Sequence, residues 1–529
     1  ETAIGYYCAA LEVLTREAFP ELWAATQDNL GIVYSNRIRG DKAQNRETAI
    51  RYCFATLEVY TRQAFPENWA ITQIALGIAY SDRIRGDKAQ NLETAIGYYC
   101  AALEVHTREA FPEDWAKTQY NLAAAYSNRI RGDKAQNLET AIGYYCAALE
   151  VYTREAFPEE WTNTQNILGA VYSNRIRGEK AQNLETAIGY YCAALEVRTR
   201  EGFPEDWANT QDNLGVAYFN RIRGDRAENL ETALVYYIDA LKVRTREAFP
   251  EQWATTQNNL GNVYSNRIRG EKAENLEAAI VCYLDALKIR THEAFPEQWA
   301  TLQINVGNTC LDRIQGNRAK NLDTSIRCYS RALKVYTRES FPEDWADTQN
   351  NLGVVYRHRI QGEKPQNLEA AIRRFLAALE VRTREAFPQY HAETQFNLGL
   401  AYQDTRQFPN AYTAFAAAID TVESLQGEII SGDEAKQKLA QEWNKLYQSM
   451  VEVCLELHDY AKAIEYVDRS QASNLVELLA NPELYPEGKI PADILKEIAR
   501  LRQEITTTLQ LLDMEVESRR RGILTWKSA

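Results

Sequence analysis

The sequence predicts an all-α protein in which antiparallel helix pairs stack into an α-solenoid, and three observations carry this. Trp23, Trp69, Trp115, Trp161, Trp207, Trp253, Trp299 and Trp345 recur every 46 residues, with His391 in the next place of the series. Nine Phe-Pro pairs keep the same interval, from Phe19-Pro20 to Phe387-Pro388. Between them run two segments, one around TQxNLGxxYSNRI and one around NLETAIGYYCAALEVxTREAF, each with apolar residues at three- and four-residue steps. One such pair cannot hide its apolar face alone, so neighbours must stack into a continuous core.

Each element has its own punctuation. Pro20 and its equivalents suit the first position of helix A, where the missing N–H is not needed, and Glu21 follows where its charge suits the helix dipole. Gly40, Gly86, Gly132 and their successors follow Arg-Ile-Arg and are expected to close helix A in the left-handed conformation, with Ile38 anchoring the last turn. Asn45, Asn91, Asn137, Asn183, Asn229, Asn275, Asn321 and Asn367 precede acidic residues and are expected to cap helix B, which would begin there. Small residues at the Gly31 and Ala102 positions permit close approach, while Leu30, Tyr34, Tyr99 and Leu103 fill space.

Composition limits the function classes. The 529 residues are 45% hydrophobic and 25% charged, with 14 Pro and 25 Gly, which excludes a low-complexity or disordered chain. A net charge of −13 opposes non-specific association with nucleic acid or an anionic membrane, and neither is expected as a partner. No apolar run reaches the roughly 18 residues of a membrane span. Glu1 lies inside a repeat, so the chain is expected to start in mid-repeat. Cys8, Cys100, Cys146 and Cys192 are spaced 92, 46 and 46 apart and Cys282 and Cys328 are again 46 apart, so they recur at fixed places in a helix, which argues for buried, reduced thiols and a cytoplasmic setting rather than disulfides or a metal site.

These residues resemble a tetratricopeptide repeat (TPR), which has Leu-Gly-x-x-Tyr in helix A and Ala-x-x-x-aromatic-x-x-Ala in helix B, here Leu30-Gly31 with Tyr34 and Ala95 with Tyr99 and Ala102. The family's ordinary period is about 34 residues. The added length falls between Tyr34 and Ala49 and between Thr56 and Gln73, and each helix is expected to lengthen by about one and a half turns. From Tyr402 to Ala411 the spacing is ordinary again, continuing through Phe415 and Ala418, and a further unit is expected around Met450, Cys454, Ala463 and Ser470. The resemblance implies a right-handed superhelix whose A helices line a concave groove. The segment from His458 to Leu479, after long repeats, is similar to the region preceding the caspase-like CHAT domain in cyanobacterial TPR–CHAT proteins. That likeness implies the regulatory arm of a peptidase.

The expected organisation is therefore a long-repeat array over residues 1–403, shorter TPR units over 404–480, and a linker with an amphipathic helix over 481–529 leading to a missing downstream domain. The helix would carry Ile494, Ile498, Leu501, Ile505, Leu509, Leu512 and Val516 on one stripe.

With Leu30 counted as the seventh residue of helix A, the sixth position reads Asn29, Ala75, Asn121, Ile167, Asn213, Asn259, Asn305, Asn351 and Asn397. An amide both donates and accepts, so such a row can grip the peptide groups of an extended chain, or it can bridge neighbouring helices. The thirteenth position, from Asn36 to Asp404, offers a second polar row with the same two readings. At the fifth, Ile74, Tyr120, Ile304 and Phe396 could form pockets or ordinary packing. Lys117 alone stands where carboxylate-clamp TPRs carry cations. The Arg-Ile-Arg-Gly rows suit local carbonyls and acids such as Glu47 or Asp41, or an acidic partner. The five histidines match no catalytic or metal spacing and are expected at the surface. No enzyme, metal or cofactor is expected. The partner is expected to be a protein or peptide, with self-association of the chain as the rival reading.

Overall fold

The computed structural model describes residues 1–428, 433–470 and 500, and among them it contains 21 α-helices and no strand. The A helices are α2 (Pro20–Ser35), α4 (Pro66–Ser81), α6 (Pro112–Ser127), α8 (Pro158–Ser173), α10 (Pro204–Asn220), α12 (Pro250–Asn266), α14 (Pro296–Asp312), α16 (Pro342–His358) and α18 (Pro388–Asp404). The B helices are α1 (Thr2–Val13), α3 (Lys42–Leu57), α5 (Lys88–Leu103), α7 (Lys134–Ala148), α9 (Lys180–Leu195), α11 (Arg226–Leu241), α13 (Lys272–Leu287), α15 (Arg318–Ala332) and α17 (Lys364–Leu379). The chain continues through α19 (Phe408–Glu428), α20 (Asp433–Glu456) and α21 (Tyr460–Arg469). The amphipathic stripe at 494–516 and the end of the His458–Leu479 segment lie outside the described residues.

Every A helix of the repeats starts on its proline, as the sequence predicts. Helix B starts four residues earlier than the asparagine rule places it. Asp41, Asp87, Asp133 and Asp225 are the caps, each accepting a main-chain N–H three residues on, at 2.7–2.8 Å. The asparagines are instead buried inside the first turn. Asn45 Nδ2 donates to the Arg39 carbonyl at 2.9 Å, and Asn91 and Asn137 donate to those of Arg85 and Arg131 at the same distance. Each therefore ties down the connecting loop. Gly40 and its seven successors have φ between +79° and +87°, a conformation that side chains resist, but they lie in that loop beyond the end of helix A.

The longer period is thus shared between helices and connections. In α18–α19 only residues 405–407 separate the helices, whereas α2–α3 uses 36–41 and begins helix B a turn further from its conserved-spacing alanine, Ala49. Between B and the next A, Thr-Arg-Glu-Ala-Phe forms a closed turn. Phe111 N–H donates to the Thr107 carbonyl at 2.9 Å, and Ala110 N–H to the Thr107 hydroxyl at 3.2 Å.

The described chain falls into two compact units, Glu1–Ile289 and the residues from Arg290 onward. Within each, an A helix packs most extensively on the B helix that follows it. The aromatic ring of helix B fills the gap: Tyr99, Tyr145, Tyr237, Tyr329 and Phe375 are at most 2% exposed. Opposite Tyr99, Tyr237, Tyr329 and Phe375 sits a glycine, and opposite Tyr145 the small Ala123. A Cβ placed on Gly215 would come within 2.6 Å of the Tyr237 ring, so helix and ring meet only because that carbon is absent. In the second unit, Ala411, Phe415, Ala418, Met450, Cys454 and Ala463 join one core.

Three expectations are corrected. Cys8, Cys100, Cys146 and Cys192 are exposed, while Cys282 and Cys328 are buried with Cys53, Cys310 and Cys454; all nine are free thiols. The place shared by Cys8, Cys100, Cys146 and Cys192 is on the outer side of helix B, where no core requires an apolar residue, whereas Cys282 and Cys328 stand two residues earlier in the repeat, at the place of Tyr52 and Tyr98. His106 is fully buried against Phe111, with ring centroids 5.1 Å apart, because its place in the repeat is the aromatic one held by Tyr60 and Tyr152. Ile38 does not anchor a helix turn: it is 93% exposed, and the Ile of every Arg-Ile-Arg or Arg-Ile-Gln loop is likewise exposed.

Candidate functional site

Successive A helices touch one another within each unit, α2 with α4 and α4 with α6 in the first, α14 with α16 and α16 with α18 in the second. Their shared face is a tiled surface in which each helical position becomes a row. The sixth-position amides border that face. Asn29 is exposed, and Asn121, Asn213, Asn259, Asn305, Asn351 and Asn397 are half-buried.

The row is not uniform. Asn213 Nδ2 donates to Asn166 Oδ1 of the preceding repeat at 3.2 Å, Asn397 Nδ2 to Asn350 Oδ1 at 3.3 Å, and Asn351 Nδ2 to Asn308 Oδ1 at 3.4 Å. These three use a donor to tie adjacent A helices and keep their own amide oxygen. Among the described residues, the side chains of Asn29, Asn121 and Asn259 make no hydrogen bond to the protein, so both functions of each amide remain available.

The fifth position lies deeper and joins each repeat to the next. Asp28, Asn166 and Asp212 accept from the hydroxyls of Thr72, Thr210 and Thr256, at 3.5, 3.3 and 2.8 Å. Ile74 is buried in the same wall. Tyr120 is half-buried, edge-on to the Tyr145 ring with centroids 5.5 Å apart, and burial raises its phenol above the ordinary value. Lys117 is exposed at the N-terminal end of α6, one turn before Tyr120 and Asn121. The structure therefore gathers Lys117, Tyr120 and Asn121 on one helix, with Asn29, Asn213 and Asn259 at the matching positions of other A helices in the first unit. Asn305, Asn351 and Asn397 belong to the second unit.

A set of residues that the sequence reading missed stands beside this face. Arg198, Arg244 and Arg382 are 4–8% exposed, at the end of helix B. Arg244 binds Thr256 at 2.7 Å, Asn209 at 2.7 Å and Asp212 at 3.0 Å. Arg198 binds Thr210 at 2.8 Å and Asn163 at 2.5 Å; Arg382 binds Thr394 at 2.8 Å and Asp347 at 2.6 Å. Burial raises the Asp212 carboxyl, opposed by Arg244 and Thr256. A signal was present. For Arg198, Arg244 and Arg382 the A-helix residue 35 before is Asn163, Asn209 or Asp347, and for Tyr60, His106 and Tyr152 it is Ala25, Ile71 or Lys117, while Arg290 and Tyr336 both have threonine there, Thr255 and Thr301.

The other rows resolve into local and inter-repeat bonds. Asn128, Asn174 and Asn220, at the thirteenth position, return a bond to the carbonyl four residues earlier at 2.9–3.0 Å. The first arginine of each loop reaches back to a helix-B acid: Arg83, Arg129 and Arg221 each grip Glu47, Glu93 and Glu185 with two bonds of 2.8–2.9 Å. The hydrogen bond from arginine holds these carboxyls below their ordinary value. Among the described residues, no helix is long and apolar enough to cross a membrane.

A tetratricopeptide-repeat family model matches residues 253–292, a span that takes in most of α12 and all of α13. No curated protein matches the sequence. Among solved structures, the apo form of RapI is similar at 11% identity and a TM-score of 0.49, covering 77% of this chain and 100% of its own. The C-terminal part of a TPR repeat-containing protein from Cytophaga hutchinsonii matches at 12% identity and a TM-score of 0.35, covering 55% of this chain and 95% of its own. The APC/C hetero-tetramer Cut9-Hcn1 matches at 15% identity and 0.34, covering 86% and 85%.

Proposed function

We propose that this chain is a protein-interaction scaffold that holds an extended polypeptide on the shared face of its A helices, as TPR proteins hold protein partners. The observation that carries this reading is the sixth-position row, with Asn29, Asn121 and Asn259 keeping unspent amides along one face. Amides at a constant interval suit main-chain peptide groups, which recur regardless of sequence. Selectivity then falls to neighbours that differ from repeat to repeat, Lys117 for an acidic group and Tyr120 for an apolar one. Within the first unit Asn213 extends the row with its amide oxygen as acceptor; the second unit has a row of its own in Asn305, Asn351 and Asn397, with the amide oxygens of Asn351 and Asn397 as acceptors. The likeness of the His458–Leu479 segment to the region before a CHAT domain favours a setting in which ligand capture regulates a peptidase.

The test is affinity selection of extended peptides on the wild-type chain, followed by titration against a variant with Asn29, Asn121 and Asn259 changed to Ala. At about 1 kcal/mol per bond, the triple variant should bind roughly 100-fold more weakly with its helicity unchanged. Equal affinity would remove the amide row from the mechanism.

A further inference from the structure

The loop edge of the first unit has a feature that peptide capture on the A-helix face does not use. Ile38, Ile84, Ile130, Ile176, Ile222 and Ile268 are 56–93% exposed, one per repeat at the same place. Scattered surface isoleucines are ordinary, but a row recurring at one edge is a patterned apolar surface. Its setting is cationic. The first arginine of each loop is spent on a helix-B glutamate, as with Arg129 and Glu93. The second, such as Arg85, Arg131 or Arg177, is exposed, and so are Lys88, Lys134 and Lys180 just beyond it. Arg177 meets Asp133 only at 3.8 Å, with both side chains more than half exposed.

The opposite edge, where helix B turns into the next helix A, has the complementary character. Arg108 and Arg154 there are paired with Glu150 and Glu196. Glu109, Glu113, Glu155 and Glu159 are exposed and take part in no ion pair among the described residues. The half-buried rings of Phe111 and Phe157 stand among them. Both edges repeat with the same 46-residue unit, so apolar and charged groups alternate along them at one spacing.

We infer that the Ile-Arg edge is an interface for a second copy of this chain, which seats its acidic Phe-Pro-Glu edge on the isoleucine and arginine row. Two facts favour a second copy over a foreign acidic protein. The complementary charge and ring are already present on this chain, and only a repeat array of equal pitch meets every tooth of the row at once. The contact joins unlike edges, so it is heterologous and can propagate from copy to copy.

The experiment is sedimentation velocity on the full chain across a concentration series at low salt, repeated at about 0.5 M salt, where exposed charges are screened. Wild type should associate with rising concentration, and the high-salt arm should weaken it. Two variants, Ile84→Ser/Ile130→Ser/Ile176→Ser and Arg85→Glu/Arg131→Glu/Arg177→Glu, change only exposed residues, and circular dichroism should report unaltered helix. Each should shift the midpoint concentration by about tenfold or more. A Glu109→Arg/Glu155→Arg chain should also fail to self-associate, yet should associate when mixed with the arginine-reversed chain. A wild type that stays monomeric throughout overturns the inference, as does association that the edge variants leave intact. A monomeric wild type that binds an acidic Glu/Leu peptide through Ile130 and Arg131 would assign the edge to a foreign partner and overturn it equally.

Discussion

At the scale of single residues, the most consequential groups are polar ones held inside the wall. His106 is fully buried and neither ring nitrogen has a hydrogen-bond partner. Burial holds its imidazole below the ordinary 6.5, against the opposing pull of Asp114 and Glu67. The unfolded chain therefore takes up a proton near 6.5 while the native chain does not, so stability is lost as pH falls below that value. His358 and His391 are depressed in the same direction and share the effect. Tyr60, at the equivalent place, donates its hydroxyl to the Glu21 carbonyl at 3.1 Å. His106→Tyr should be the more stable chain, and its advantage in thermal midpoint should be wider at pH 5.5 than at pH 8 (about one unit either side of the ordinary value). A gap independent of pH would show that His106 does not titrate as argued. Arg244 poses the charged counterpart. Arg244→Met strands Asp212 at 7% exposure and should cost about 3–5 kcal/mol in denaturant unfolding, most of it recovered in Arg244→Met/Asp212→Asn.

At the scale of the element, a repeat is a helix pair with a locked loop, and two cap-type residues divide the labour. Asp133 satisfies one N–H at an exposed end, so Asp133→Ala should cost about 0.5–2 kcal/mol. Asn137 is 4% exposed and holds the Arg131 carbonyl while receiving Arg129. Asn137→Ala leaves buried partners unsatisfied and should be the costlier of the two, at about 1–3 kcal/mol for each group stranded. Equal midpoints in urea would contradict this division. The helix pairs themselves were legible, because Phe-Pro, Trp and the glycines recur at one interval and each acts through local backbone chemistry. The start of helix B was not, since Asp41 and Asn45 are both cap formers and only burial separates them. Nor was the facing of Cys100 or Ile130, because periodicity places a residue on an element without saying what covers it. The amide row could be numbered from the repeat register, whereas the bond that ties Asn213 to Asn166 depends on how closely two A helices approach. Arg198, Arg244 and Arg382 were readable in principle, through their matching changes at Asn163, Asn209 and Asp347, but Arg290 was not, since Thr255 before it matches the Thr301 that precedes Tyr336.

At the scale of the whole molecule, each repeat is held by its neighbours: the Glu47–Arg83 type of pair, the threonine bonds to the fifth position and the tyrosine against glycine all recur along the chain. In such an array a lost contact weakens a repeat and the interfaces it shares. Tyr237→Ala, which empties a site 2% exposed, should cost about 3–5 kcal/mol and speed hydrogen exchange most in α10 and α11. Uniform acceleration across the first unit would mean that the unit opens as one cooperative block. The two proposed roles divide by chemistry, with amides on the A helices offered to a guest chain and an isoleucine–arginine edge offered to another copy. The most direct measurement is photo-crosslinking from a selected peptide carrying a reactive group at its centre, with the attachment points read by mass spectrometry. Attachment on the A helices around Lys117, Tyr120, Asn121 and Asn259 is the result predicted here. Attachment confined to the outer side of the B helices, around Gly143 and Cys146, would contradict the account.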